Sequence, residues 1–395
     1  MIKLLVVDDS ALMRKMLQSI FRDEGDFEIQ LARNGAEALE LVRTFDPHVV
    51  TLDVQMPEMD GLACLRQIMM ESPRPVVMIS ALTEEGAEAT LEAMDLGAID
   101  FVVKPGGTVS LEIDRLGPLL VQRVRAAANA HVHRALRLTE RIRHRLRGAA
   151  GSRRSDRAPR KSSATTKAEL APGLVLIGTS TGGPAALDIV LPQLPSDFPW
   201  PVMVAQHMPA TFTGYFAQRL DRRCELRVVE VSRPTPLVAG TIYIGRGDAD
   251  LIVAPRSTGM IAMSVPGRRD YLWHPSVERM VTSALAQYEA TRLVGVMMTG
   301  MGRDGAEAMT RLRKQGGRTI AEAESTAVVW GMPGELVRDG GVELVRPVED
   351  IAATVVEWVA ANAVRQARGQ RSGNGRRPPT GASRIDYCGL AQFGC

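Results

Sequence analysis

No apolar run in these 395 residues approaches the roughly 20 needed to cross a bilayer, so membrane insertion by a spanning helix is not expected. The apolar start, Met1-Ile2-Lys3-Leu4-Leu5-Val6-Val7, meets two acids at once. It lacks the longer apolar core and small-residue cleavage site of a signal peptide, and it reads as a buried strand. Cysteine is scarce: Cys64, Cys224, Cys388 and Cys395 show no metal-ligand spacing and no disulfide framework. A cytoplasmic location is therefore expected. Aromatic residues make up only 4% of the chain, so its cores must be built from aliphatic side chains and from 19 methionines. No internal repeat of fixed period is visible.

What is present is a strong charge asymmetry. The net charge is only +3, yet Arg123 to Lys167 holds fourteen Lys/Arg against two acids, leaving the remainder of the chain at −9. That split argues against a uniformly basic nucleic-acid binder and marks a separate segment. The length calls for more than one core. The reading is a first domain over 1–122, a basic helical arm and flexible linker over 123–172, a second domain over 173–362, and a disordered tail over 363–395.

Both domains read as α/β. In the first, apolar runs at Lys3–Val7, Phe27–Leu31, Val49–Asp53, Val76–Ser80 and Asp100–Val103 alternate with helical patterns such as Leu12, Met16, Leu17 and Ile20. This is the rhythm of a (βα)5 doubly wound sheet. The second domain shows runs at Leu174–Gly178, Val202–Gln206, Thr241–Ile244, Leu251–Val253, Met260–Val265 and Leu293–Thr299. Helical stretches follow several of them, at Pro184–Val190, Phe212–Leu220, Val277–Ala286 and Gly305–Lys314. A doubly wound, mostly parallel sheet is expected there too.

In an open parallel sheet, ligands bind beyond the carboxyl ends of the strands. Asp8 and Asp9 follow the first strand, Asp53 ends the third, Ser80 the fourth and Lys104 the fifth. Three acids on one rim suit a hard divalent cation with oxygen ligands, Mg2+ foremost. With a cation bound, Asp53 becomes a nucleophile toward a phosphoryl group. Taken singly, Asp9 or Ser10 could serve as a helix cap.

The second domain opens with Gly178-Thr179-Ser180-Thr181-Gly182-Gly183-Pro184 between a strand and a helix. Glycines permit the sharp turn, and Pro184 suits a first helical position. Such a turn exposes a serine hydroxyl near free backbone N–H groups. Read by itself, the same loop also fits a phosphate- or nucleotide-binding turn. Of the six histidines, His131, His133 and His144 lie in the basic arm and His48 beside a first-domain strand. His207 follows a strand directly and suits a general base on the Ser180 rim. His274 sits in a Trp-His-Pro-Ser loop, where it serves either substrate or local structure. Asp304 follows another strand and suits the acid that orients the base, or the N-cap of the next helix.

The segment Asp53-Val54-Gln55-Met56-Pro57-Glu58-Met59-Asp60-Gly61 with Lys104-Pro105 closely resembles the two-component receiver family. That resemblance implies phosphorylation at Asp53 and a metal site of Asp9, Asp53 and the backbone of Gln55, with Asp8 acting through water. It implies a histidine kinase as phosphodonor, and Ser80 and Lys104 as contacts to the phosphoryl oxygens. Gly178–Pro184, Gln206-His207-Met208-Pro209 with Phe212-Thr213, Pro275-Ser276-Val277, Thr299–Gly305 and Val328-Val329-Trp330-Gly331-Met332-Pro333 resemble the catalytic domain of chemotaxis-type protein-glutamate methylesterases. That likeness implies a phosphorylation-regulated enzyme acting on methylated chemoreceptors, and deamidating selected receptor glutamines. Ser180 is then nucleophile, His207 base and Asp304 its orienter. Thr181 supports the histidine, the Met301 N–H contributes to an oxyanion hole, and no cofactor serves the ester chemistry. The sequence departs from the family at Gly245-Arg246-Gly247-Asp248-Ala249-Asp250, where Ala-Pro and then a His are usual, and at Glu322, where Gln is usual.

Two other functions compete: a DNA-binding output driven by the basic arm, against which no helix-turn-helix pattern is found, and a nucleotide site at Gly178–Gly183. Within the methylesterase reading, the two strand-end rims are expected to face one another across a hinge, with the unphosphorylated receiver inhibitory.

Overall fold

The computed structural model describes residues 1–81, 83–104, 109–130 and 172–373. Pro105, the basic arm beyond Ala130 with the linker as far as Ala171, and the residues after Gly373 lie outside the described residues.

The first domain runs β1 (Ile2–Val7), α1 (Ala11–Asp23), β2 (Phe27–Ala32), α2 (Gly35–Thr44), β3 (Val49–Asp53), α3 (Gly61–Glu71), β4 (Val76–Ser80), α4 (Glu84–Leu96), β5 (Asp100–Val103) and α5 (Val109–Ala128). The strands form a five-stranded parallel sheet in the order β2-β1-β3-β4-β5. β3 and β4 are buried throughout, as continuous apolar runs covered on both faces must be. Side-chain caps start the helices: Ser10, Asn34, Asp60 and Thr83 each accept a backbone N–H three residues on. α5 runs beyond residue 122, and its Arg123 belongs to this domain, since its guanidinium donates to Asp100 at 2.9 Å and to the Phe101 carbonyl.

The second domain comprises β6 (Leu174–Thr179), α6 (Gly183–Val190), β7 (Val202–Gln206), α7 (Ala210–Arg223), β8 (Arg227–Val231), β9 (Thr235–Pro236), β10 (Thr241–Gly245), β11 (Ala249–Arg256), β12 (Gly259–Pro266), α8 (Val277–Leu285), β13 (Leu293–Met297), α9 (Ala306–Lys314), β14 (Arg318–Glu322), α10 (Met332–Arg338), β15 (Leu344–Arg346) and α11 (Val348–Gly373). Seven strands form a parallel sheet in the order β15-β14-β13-β6-β7-β10-β8. β11, β12 and β9 form an antiparallel side sheet. The chain reverses its direction of travel at β6, flanked by β7 and β13, so the crevice of a doubly wound sheet falls there. β8, β14 and β15 are short and partly polar, which is why apolar runs did not disclose them. α11 continues to Gly373, past residue 362 where the sequence suggested the tail.

The domains pack directly against each other. Phe101 of β5 lies on Phe212 of α7, ring centroids 4.5 Å apart. Arg219 of α7 donates to the Leu91 carbonyl and to Asp95 on α4, both at 2.7 Å, and pairs with Asp188 on α6. Arg223 pairs with Asp95 at 2.8 Å. The first domain therefore presents α4 and the first residues of β5, not the Asp53 rim. The expected rim-to-rim apposition is corrected: the apolar start of β5 and a carboxylate-bearing α4 complement Phe212 and the α7 arginines, whereas the Asp53 rim is acidic.

Gly61 fixes the segment that follows Asp53. Its N–H donates to the Val54 carbonyl at 3.0 Å, and a Cβ there would lie 2.0 Å from the Asp53 carbonyl oxygen. Gly61→Ala is expected to destabilise the first domain by roughly 3 kcal/mol, because backbone has to move. A urea midpoint equal to that of the wild type would contradict this.

Candidate active site and phosphorylation site

The register of three parallel strands assembles the second site. Thr179 pairs with Gln206 across β6 and β7, so Ser180 and His207 leave the sheet side by side. Met297 pairs with Gly178 across β13 and β6, which brings Thr299 abreast. The Ser180 N–H donates to the Thr299 carbonyl at 3.0 Å, and the His207 N–H to the Thr179 carbonyl at 3.1 Å. The Gln206 amide ties serine and histidine together, donating to the carbonyls of Ser180 (3.0 Å) and His207 (3.1 Å). Gly182 turns at φ +77°, a backbone position that favours glycine, and a Cβ there would strike Val328 at 2.6 Å.

His207 Nε2 lies 2.9 Å from Asp304 Oδ2. Nδ1 is buried with no hydrogen-bond partner, leaving that atom to receive a proton. Asp304 does not cap α9, whose N-cap is Gly305. It lies instead at the start of α8: the Val277 N–H donates to Oδ2 at 2.7 Å, and the Ser276 hydroxyl and Glu278 N–H donate to Oδ1 at 2.9 and 3.1 Å. Burial alone would raise the Asp304 carboxyl. The His207 hydrogen bond and charge and the two backbone N–H groups outweigh it and hold the group below its usual value. Asp304 therefore stays ionised as a charge partner for the histidine.

The N–H groups of Thr181 and Met301 carry no hydrogen bond among the described residues, and each follows a strand end of this crevice. Thr181 is the residue after the serine, a position suited to an oxyanion donor that sequence reasoning missed. The Thr181 side chain does something else than expected. Its hydroxyl donates to Asp100 of the receiver at 2.6 Å rather than supporting His207, because the buried Asp100 carboxylate needs donors and the docked domain brings it there. The Gly182 N–H also donates to the Ile99 carbonyl at 3.2 Å. The first domain thus grips the Ser180 loop itself.

Two residues that the sequence marked only as departures from the family pattern take structural roles. Glu322, at the end of β14, accepts the Thr299 N–H at 2.8 Å and the Thr326 hydroxyl at 3.0 Å, so it supports the strand beside Ser180. Burial pushes its carboxyl up to about 7, opposed by those two donors and assisted by Glu349. Asp250, in the stretch that departs from the family pattern, is fully buried and bonded to His274 Nδ1 (2.8 Å), the Ser276 N–H (2.8 Å) and Arg279. His274 is therefore a structural partner of the Ser276 loop, and no bond links it to Ser180. His48 likewise accepts the Lys3 N–H.

On the receiver rim, Asp8, Asp9 and Asp53 offer ligand oxygens within 4.8 Å of one another. Lys104 Nζ lies 2.6 Å from Asp53 Oδ2 and 3.0 Å from Asp8 Oδ2, the latter without hydrogen-bond geometry. Asp8 Oδ2 is thus a buried oxygen whose partner among the described residues is that ammonium alone, and this donor set fits a hard divalent cation. The Gln55 N–H donates to Asp53 Oδ1 at 3.3 Å, so its backbone adjoins the cluster. Burial raises the Asp53 carboxyl, Lys104 opposing and Asp8 adding to the rise. For Lys104, burial acts downward but both carboxylates outweigh it and hold the ammonium above its usual value. A cavity of about 550 Å3 opens beside the rim, lined by residues including Asp9, Gln55, Met56 and Glu85. The Ser80 hydroxyl donates to the Gly86 carbonyl at 3.1 Å, and no hydrogen bond joins it to Asp53 among the described residues.

Residues 175–355 match the family model described as CheB methylesterase, and residues 4–113 that of the response regulator receiver domain. A protein-glutamate methylesterase/protein-glutamine glutaminase of Rhodopseudomonas palustris is 69% identical over 92% of this chain and 100% of its own length. One of the same name from Rhodospirillum rubrum is 51% identical over 91% of this chain and 97% of its own. The solved CheB methylesterase catalytic domain of Thermotoga maritima is 34% identical, covers 48% of this chain and 99% of its own, and superposes with a TM-score of 0.46.

Glu322 yields a pH prediction. Its folded value of about 7 stands above the ordinary 4.5. The stability it contributes is therefore complete below the ordinary value and is lost as pH rises through about 7. Glu322→Gln keeps an acceptor for Thr299 and does not ionise. Melting temperatures from pH 5 to pH 8 should show the variant gaining on the wild type. Parallel curves would contradict the assignment.

Proposed function

The chain belongs to the CheB methylesterase family, and on that premise we propose that its second domain hydrolyses glutamyl methyl esters on chemoreceptors by acyl transfer through Ser180, while phosphorylation of the receiver at Asp53 governs access to that serine. The observation that carries the reading is the His207–Asp304 pair set beside Ser180 with two unpaired backbone N–H groups at the same strand ends.

In this reading Ser180 Oγ attacks the ester carbonyl carbon and gives its proton to His207 Nδ1. Asp304, held ionised, steadies the imidazolium that results. The N–H groups of Thr181 and Met301 take the charge developing on the carbonyl oxygen. The carbon–methoxy bond then breaks, and methanol leaves with the proton from His207. Water deprotonated by the same ring cleaves the acyl-enzyme, restoring Ser180 and leaving a glutamate. Deamidation of a glutamine follows the same steps, with ammonia as the leaving group. This ester chemistry enlists no cofactor.

Regulation follows from the contact at the nucleophile loop. In the receiver, Asp8, Asp9, Asp53 and the Gln55 backbone would hold Mg2+, which when bound offsets the charge of an incoming phosphoryl group. A histidine kinase supplies that group to Asp53. Lys104 already lies against Asp53, whereas Ser80 has to turn from the Gly86 carbonyl, which Thr90 also engages at 2.6 Å. Gly86 lies in the first turn of α4, and α4 carries the Leu91 carbonyl and Asp95 that hold Arg219. Releasing Gly86 frees α4 to shift, and that loosens the receiver from α7 and from Thr181 and Gly182.

Ser180→Ala should abolish methanol release from membranes carrying methylated receptors, a loss on the order of 10⁶ in rate. Asp304→Asn should retain more activity, since the base remains while its charge partner is lost. A Ser180→Ala variant within tenfold of wild type would rule the nucleophile out. On the regulatory side, Asp95→Ala removes the α4 carboxylate that pairs with Arg219 and Arg223, leaving Arg219 only its bond to the Leu91 carbonyl on α4, without touching the catalytic residues. Unphosphorylated Asp95→Ala should turn over about tenfold faster than the unphosphorylated wild type, as a shift of about 1.4 kcal/mol allows. A fragment beginning near Pro172 should do at least as well. Equal basal rates in all three proteins would show that the docked receiver does not restrain the enzyme.

A further inference from the structure

We propose that Trp273 is a positioning residue for His207, its indole face fixing the imidazole plane and stabilising the imidazolium formed when the ring takes the Ser180 proton. This rests on the acyl-transfer reading above.

The two rings are stacked, with centroids 5.5 Å apart and planes 10° from parallel. Asp304 holds the imidazole only by one edge, at Nε2, so the ring could still rock about that bond. A flat partner on its face removes that freedom. The stack also matters more in one protonation state than in the other. A cation within about 6 Å of an indole centroid is attracted by the negative face of the π system, whereas a neutral imidazole gains little. The imidazolium exists only within each half of the reaction, from attack by serine or water until the ring hands its proton on to methanol or to Ser180. Stabilisation confined to those intervals raises turnover and leaves substrate binding alone.

The loop that carries Trp273 is built to hold it. His274, the next residue, is bound through Nδ1 to the fully buried Asp250 at 2.8 Å. Asp250 also takes the Ser276 N–H and pairs with Arg279. The His274 ring lies so close to Gly267 that a Cβ there would come within 2.7 Å of it. On the other side Leu272 is 88% exposed, so the loop turns from solvent into the site within one residue, and Trp273 is half-buried where it meets the histidine. Asp250 falls within the stretch Gly245–Asp250 that departs from the family pattern.

The test uses the full-length chain with Mg2+ and a small acyl phosphate, following methanol release from methylated receptor membranes. Trp273→Leu keeps the site apolar and removes the π face. Its kcat should fall about tenfold with KM within about twofold. Trp273→Phe should recover the larger part of the lost kcat. Asp250→Asn, which loosens the loop, should lower kcat in the wild-type background but add little to Trp273→Leu. A Trp273→Leu variant with wild-type kcat, a loss carried wholly by KM, or a Phe variant no better than Leu would overturn the inference. So would fully additive effects of Asp250→Asn and Trp273→Leu. Ser180→Ala is measured alongside. If it still releases methanol, the acyl-transfer reading has failed and this inference falls with it; if it is inert while Trp273→Leu is unaffected, this inference alone is wrong.

Discussion

The parallel register at β7, β6 and β13 is the constraint on which the second domain depends. A parallel ladder fixes which residues leave the sheet together, and here it releases Ser180, His207 and the Thr299 segment onto one rim. The residues proposed for catalysis are then secured by short polar contacts onto that rim. The Gln206 amide joins serine to histidine, the Thr299 carbonyl takes the Ser180 N–H, and the start of α8 takes Asp304. A one-residue slip in any of these strands would turn the side chains to the opposite faces of the sheet.

Charge is handled differently at the two sites. Asp304 is nearly buried yet held ionised, because a histidine and a helix start supply its donors. Asp53 is buried with its carboxyl raised, next to the buried and underdonated Asp8. The first arrangement is satisfied as it stands and suits a permanent charge partner. The second has capacity to spare and suits a group that gains and loses a metal and a phosphoryl. Between them lies the domain contact, where beside the Phe101–Phe212 pair Arg219 bonds the α4 carboxylate and carbonyl and Thr181 bonds Asp100. Such contacts are directional, so a modest movement of α4 breaks several together.

Much of this was legible in the sequence, for a physical reason. Buried parallel strands must be apolar throughout, so Val49–Asp53, Val76–Ser80, Val202–Gln206 and Leu293–Met297 announce themselves, and the polar residues just beyond them stand out. β8, β14 and β15 did not, because edge-side strands carry polar residues. The partners of the site residues were also hidden. Spacing along the chain carries no sign that Asp304 meets Ser276 or that Asp100 reaches Thr181, since those contacts depend on how helices and domains pack. The face of the receiver that docks was misjudged for the same reason. Function was assigned to the polar rim, but docking selected the aromatic start of β5 and the acid on α4.

The most direct measurement is the rate at which a fluorophosphonate forms a covalent adduct with the full-length chain, the modified residue being located by mass spectrometry. The account predicts an adduct at Ser180, forming slowly in the unphosphorylated protein and markedly faster once Mg2+ and a small acyl phosphate have acted on Asp53. An adduct elsewhere, or labelling of Ser180 at one rate under both conditions, would contradict it.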